Sequence, residues 1–191
     1  MAILTVLTGA IEARDPYTQG HSARVTALAE EIARRLGWSE ERLGSLRVGG
    51  PLHDIGKLAV SDHVLQKEGE LEEHELAEIR EHPKAGARLI LRVAALREAI
   101  PYVLYHHERW DGAGYPMGKA GEEIPLEARV LAVADAFDAM TSDRPYRRAL
   151  SQAEALAEVE RCAGTQFDPK IAGVFLELFA ETGLARAAAA S

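Results

Sequence analysis

His53 and Asp54 put an imidazole nitrogen and a carboxylate on consecutive residues, within Pro51-Leu52-His53-Asp54-Ile55-Gly56-Lys57. One cation can take both groups, or the carboxylate can bridge two cations with one oxygen on each. Lys57 follows three residues later, close enough to meet whatever the cations hold. A buried His–Asp hydrogen bond at a helix end accounts for the pair equally well, so its meaning depends on partners elsewhere. Gly56 suits a helix that ends straight after the pair, because glycine takes positive φ without a Cβ clash.

Further groups of the same chemistry recur along the chain. His21 lies one turn before Val25 on a stripe continued by Leu28, Ile32 and Leu36, so it points inward. His82 precedes Pro83, which interrupts a helix and frees the histidine to aim its ring away from it. His106 and His107 close a helix marked by Ile100, Val103 and Leu104. Asp135 stands among Ala128, Leu131 and Ala132, and a buried aspartate needs a partner, of which a metal is one of the few adequate ones. Inward histidines are more often satisfied core residues than ligands. Here they divide into two cation sites sharing Asp54. One takes His21, His53, Asp54 and Asp135, the other Asp54, His82, His106 and His107. His63 and His74 read as surface residues. Neutral imidazoles with carboxylates and no thiolate suit Fe or Mn, with Zn, Co or Ni as alternatives, rather than Mg or Ca. Two cations roughly 3.5–4 Å apart would hold a bridging hydroxide and orient a phosphate for in-line attack. Their positive charge, set against two aspartates, a hydroxide and one phosphate oxygen, leaves the centre near neutral.

The elements that must position these groups are helical. Alanine, leucine and glutamate recur while β-branched runs are scarce, which predicts an all-α chain. Ile3, Leu4, Leu7 and Ile11 mark a first helix ended by Asp15-Pro16, and a second runs from near Thr18 to Gly37. Ser39 caps a third, which delivers His53 and Asp54. A loop follows through Ser61 and Gly69, and Leu76 and Ile79 mark the helix that His82-Pro83 breaks. Four glycines and a proline between Glu108 and Gly121 predict a shaped loop, and long loops inside compact domains are usually functional. Glu127 to Met140 is helical again. Ser151 with Glu154 makes a capping box, and Asp168-Pro169 opens a last helix. At 191 residues the chain is one domain, over 1–184, followed by an alanine-rich tail over 185–191. A net charge of −8 argues against a grip on polymeric nucleic acid, while leaving room for a small anion in a locally positive pocket. Cys162 is alone, which fits a reducing cytoplasm, and no stretch approaches the length of a membrane span.

Three segments in order resemble the HD-GYP group of HD-domain phosphohydrolases: His53-Asp-Ile-Gly-Lys57, His106-His-Glu-Arg-Trp-Asp-Gly-Ala-Gly-Tyr-Pro116 and Asp143-Arg-Pro-Tyr-Arg147. The resemblance covers essentially the whole chain. It implies an HD-domain helical bundle with a Gly-Tyr-Pro loop, and hydrolysis of cyclic di-GMP to linear pGpG with slow further cleavage to GMP. The seven residues grouped above match the metal-ligand positions of the family. By the same resemblance Lys57 stands beside the scissile phosphate as a proton donor to the leaving oxygen, with Asp54 the shared metal ligand. Tyr115, Arg144 and Arg147 correspond to ligand-binding positions, with Gly114 and Pro116 beside Tyr115. Glu108 and Asp111 read as loop-ordering side chains. Some members bind three metals and share a glutamate four residues before the first histidine. Tyr17 stands there in this chain, so two metals are expected. GGDEF-domain proteins and a second copy of the chain are the macromolecular partners this family admits. Two other readings stand beside it: a catalytically silent cyclic di-GMP sensor or GGDEF-partner module, and another HD-domain nucleotide phosphohydrolase. Silent members tend to lose the His-Asp pair or the later histidines, and none is lost here.

Overall fold

Helix follows helix along the chain, and among the described residues the only β pairing is an isolated bridge between Ala163 and Phe167. A computed structural model describes residues 6–9, 11, 14, 20–67, 69–143 and 148–181. Residues 6–9, 11 and 14 are helical. Then come α1 (His21–Arg35), α2 (Glu40–Leu52), a 3-10 turn (Ile55–Ala59), α3 (Asp62–Leu65), α4 (Glu73–Arg80) and α5 (His82–Leu91). A second 3-10 turn (Ala94–Ala99) leads into α6 (Ile100–Tyr105). After the glycine-rich loop come α7 (Leu126–Thr141), α8 (Gln152–Arg161) and α9 (Pro169–Glu181). No helix among the described residues is long and apolar enough to cross a membrane.

Local chemistry sets most of these boundaries. Ser39 Oγ accepts from the Arg42 amide at 3.3 Å and Glu40 and Glu41 occupy the first turn, so α2 starts where its cap predicts. Ser151 and Glu154 exchange the expected capping-box bonds at the start of α8. Three expectations need correction. The second helix begins at His21 after Gly20, and Thr18 lies outside the described residues. The break near Pro83 falls at Glu81, because proline fits the first turn of the α5 helix that His82 opens. The segment between Ser61 and Gly69 holds the one-turn helix α3.

Two apolar clusters hold the helices together. The larger takes Val25, Ala29 and Ile32 from α1, Leu43 and Leu46 from α2, Val130, Leu131 and Phe137 from α7, and Ile171, Phe175 and Phe179 from α9. Phe137, Phe175 and Phe179 meet with ring centroids 4.9–5.0 Å apart, a spacing that favours aromatic contact. The smaller cluster joins Ile11, Leu52, Ile55, Ile90, Ala99 and Val103. Helices α2 and α6 serve both clusters, and each runs directly into a histidine of the site, His53 and His106. Burial of these two helices therefore fixes where both imidazoles start.

Gly56 does something other than end a helix with positive φ. It lies inside the 3-10 turn and is not among the positive-φ glycines. A Cβ there would collide with the His82 carbonyl and the Gly86 amide, so its bare backbone lets α5 press against the turn that carries Asp54 and Lys57. Arg14 pins the same turn from the other side: Nη1 donates to the Leu58 carbonyl at 3.0 Å and Nη2 to the Val60 carbonyl at 2.9 Å.

Candidate metal centre

The fold gathers His21, His53, Asp54, His82, His106, His107 and Asp135 from the ends of α1, α2, α5 and α6 and the middle of α7. His53 Nε2 lies 3.5 Å from Asp54 Oδ2, and His82 Nε2 lies 3.3 Å from Asp54 Oδ1. His106 Nε2 is 3.9 Å from the same Oδ1 and 3.3 Å from His82 Nε2. Donor atoms of Asp54, His82, His106 and His107 all lie within 4.8 Å of one another, as do those of His21, His53 and Asp54. Asp135 closes on the second group from α7, with Oδ1 3.2 Å from His21 Nε2 and 4.0 Å from His53 Nε2. The two sets expected from the sequence are therefore brought together, and they meet at Asp54.

The protonation pattern fits cations. His53, His82 and His106 each direct Nδ1 at the carbonyl three residues earlier, Gly50, Ile79 and Val103, at 2.7, 2.7 and 3.1 Å. A carbonyl only accepts, so Nδ1 carries the proton and Nε2 turns a lone pair inward. His53 Nε2 is buried with no hydrogen-bond partner. His82 and His106 aim two such lone pairs at one another. Around them stand carboxylate oxygens, which also only accept. A buried set of acceptors with so few protons is costly unless a cation satisfies it, so the residues fit a metal site.

Electrostatics among the protein groups leave His106 and His107 neutral, whereas His21 holds a proton that a cation would displace. Burial pushes the His106 imidazolium well below its ordinary pKa, helped by His107 and His53, and burial likewise lowers His107 to about 4. Both rings are neutral at pH 7. Burial would raise Asp54, yet the Lys57 ammonium 2.7 Å away holds it ionised well below the carboxylate range. Burial would likewise raise Asp135, but the His21 hydrogen bond holds it down. Burial disfavours charged His21, but hydrogen bonds to Asp135 and Asp138 outweigh it and raise the pKa to about 9.

That last contact was not visible in the sequence reading. Asp138, one turn beyond Asp135, accepts from His21 Nδ1 at 2.7 Å and is itself held by Arg24 Nε at 2.6 Å and Nη2 at 3.0 Å. A carboxylate behind a ligating histidine fixes the ring and raises its basicity. The sequence carried one signal, a pair of acids three apart on α7 facing a His and an Arg three apart on α1.

Lys57 Nζ sits 2.7 Å from Asp54 Oδ2, on the shared carboxylate. A cavity of about 240 Å³ reaches the centre at His106, His107 and Asp135 and is also lined by Gly114, Tyr115, Arg80, Arg109 and Gln166. Lys57 and Pro116 are not among its lining residues. Tyr115 stacks on His107 with centroids 4.8 Å apart and planes at 25°, and the Tyr115–Pro116 peptide is cis. Gly114 is bare because a Cβ would strike the His107 carbonyl and the Arg109 amide, which lets the loop fold directly over the histidines. Glu108 orders that loop by accepting from the amides of Met117 at 2.7 Å and Lys119 at 3.0 Å, and Asp111 pairs with Arg109. Arg144, Arg147 and Tyr17 lie outside the described residues.

Residues 5–171 match the family model of the HD domain. The chain is 43% identical over 180 residues to the cyclic di-GMP phosphodiesterase response regulator RpfG of Xanthomonas campestris, covering 91% of this chain and 46% of that protein. It is 39% identical over 178 residues to a cyclic di-GMP phosphodiesterase of Thermotoga maritima, covering 92% and 48%. The chain thus spans less than half the length of these curated relatives. Among solved structures, a cyclic GMP-AMP-specific phosphodiesterase of Vibrio cholerae superposes with a TM-score of 0.73 at 22% identity, over 92% of this chain and 47% of that one.

Proposed function

This chain belongs to the HD domain family, and we propose that it is a metal-dependent phosphodiesterase that opens cyclic di-GMP to linear pGpG, with slower cleavage to GMP. One observation carries the reading: six imidazole and carboxylate groups converge as two donor sets sharing Asp54, Asp135 stands 3.2 Å from His21, and a cavity reaches the cluster at His106, His107 and Asp135. His21, His53, Asp54 and Asp135 would hold one cation, and Asp54, His82, His106 and His107 the other. Fe or Mn is the metal this donor set favours, with Zn, Co or Ni as substitutes. A pair of such cations supplies Lewis-acid polarisation of a phosphoryl oxygen and activation of the attacking water.

The protein groups do the rest. The Tyr115 ring, stacked on His107, lines the cavity where a base or sugar can lie against it, and the loop ordered by Glu108 keeps it in place. Lys57, held on Asp54, is the candidate to protonate the leaving ribose oxygen. Arg144 and Arg147 would grip phosphate or guanine edges. The names of the relatives support the substrate, since those proteins are called cyclic di-GMP phosphodiesterases. We further place the protein in the cytoplasm, with GGDEF-domain proteins or a second copy as partners. The test is incubation of anaerobically purified protein with cyclic di-GMP and Mn(II), with and without chelator, read by chromatography. Metal-dependent appearance of pGpG supports the proposal. Binding of intact cyclic di-GMP without turnover under every metal condition favours the silent-sensor reading instead.

A further inference from the structure

His107, Tyr115 and Arg80 form a column that leads from the centre outward. The Tyr115 ring stacks on His107, and the Arg80 guanidinium sits 5.7 Å from the Tyr115 centroid, within cation–π reach. Arg80 is the last residue of α4, its side chain is exposed, and it lines the cavity. The other arginine of the cavity wall, Arg109, donates to Asp111 Oδ2 at 2.6 Å and to Gln166 Oε1 at 3.2 Å. The Arg80 side chain makes no ion pair or hydrogen bond with a described residue and lies against Tyr115. The cavity is otherwise bordered by the acids Asp135 and Glu108. Among the described residues that line the cavity, Arg80 is the positive charge an entering anion meets without an acidic partner.

We infer that Arg80 is the contact for the second phosphate of a cyclic dinucleotide, the one that is not being cleaved. The inference rests on the phosphodiesterase reading above and adds a substrate-positioning residue to it. In a cyclic dinucleotide the two phosphodiesters face each other across a closed sugar–phosphate ring. With one over the histidines, the other points toward the cavity mouth, where the guanidinium can fork onto two of its oxygens. Binding energy from a remote phosphate holds the ring in register and shows first in substrate affinity.

The test compares wild type, Arg80→Ala and Arg80→Lys on cyclic di-GMP, on cyclic GMP-AMP and on bis(p-nitrophenyl) phosphate, which has a single phosphate. Losing one charge-assisted contact should raise KM for cyclic di-GMP roughly 10- to 100-fold in Arg80→Ala, with a much smaller change in kcat. The specificity ratio between cyclic di-GMP and the single-phosphate diester should fall by the same factor. Arg80→Lys should recover part of the loss, because a lysine still offers a point charge to phosphate. Calorimetric affinity for cyclic GMP-AMP should drop by the same factor as that for cyclic di-GMP. Equal losses on the single-phosphate diester, a loss confined to the two-guanine ligand, or a KM within twofold of wild type each overturn the assignment. Wild-type turnover with an unaltered Arg80→Ala overturns Arg80 alone. Wild type that neither binds nor cleaves cyclic di-GMP overturns the functional proposal and this inference together.

Discussion

Asp54→Ala should abolish binding of both cations, whereas His21→Ala and His107→Ala should each abolish one. Asp54 is the residue common to both donor sets, with His82 3.3 Å from Oδ1 and His53 3.5 Å from Oδ2. The magnitude follows from linkage. A ligand that binds only the folded chain, at a hundred times its dissociation constant, adds about 2.7 kcal/mol of stability. In a chain of this size each 1 kcal/mol moves Tm by about 2–4 °C. One site is therefore worth about 5–11 °C, and two about 11–22 °C, on addition of Mn(II) to metal-stripped protein. Wild type should show the full shift, His21→Ala and His107→Ala about half, and Asp54→Ala almost none. Differential scanning fluorimetry reads the shifts, and calorimetric titration reads the stoichiometry. The stripped variant should still fold, because neither apolar cluster includes Asp54. An Asp54→Ala protein that keeps two equivalents and the wild-type shift would refute the shared-ligand arrangement.

Lys57→Ala should retain both metals and lower kcat by roughly 10²–10⁴-fold, the range of a lost proton donor, with KM much less affected. Steady-state kinetics on cyclic di-GMP check it, and a change confined to KM removes the proton-transfer role. Asp138→Asn should weaken the His21-containing site about 10- to 100-fold in a chelator-competition titration while leaving the other site alone. Unchanged affinity at both sites would show that the Asp138–His21 bond does not set ligand strength. Gly56→Ala should cost about 1–3 kcal/mol in denaturant unfolding, because the added methyl meets backbone of α5. A wild-type midpoint would mean that the turn can move away freely.

Much of the centre was legible because helical periodicity reports which face is buried. His21 and Asp135 each sit on an apolar stripe, and an inward polar group on such a stripe announces itself. His53 and His106 follow directly from the ends of helices whose apolar residues enter the core, and the structure buries both. What escaped depends on partners distant in sequence. Gly56 was expected to turn a helix, but its reason is the approach of α5, about 30 residues away, which no local pattern records. Asp138 looks like an ordinary polar residue until α1 brings Arg24 and His21 against it across more than 100 positions. Arg80 reads as a cation complementing a helix C-terminus, and only the folding of the Gly114–Tyr115 loop makes it part of a cavity wall. The loop itself was legible from its glycines, while the packing of Gly114 on His107 was not.

The central claim, a two-cation centre that opens a cyclic dinucleotide, is tested most directly by counting metal and products in the same sample. Protein purified aerobically and anaerobically is analysed for elements, and each preparation is given cyclic di-GMP while products are followed by chromatography. Two equivalents of Fe or Mn per chain are expected in the active preparation, with pGpG accumulating before any GMP and activity following metal content. Three equivalents of tightly bound metal, or GMP released with no linear intermediate, would contradict it.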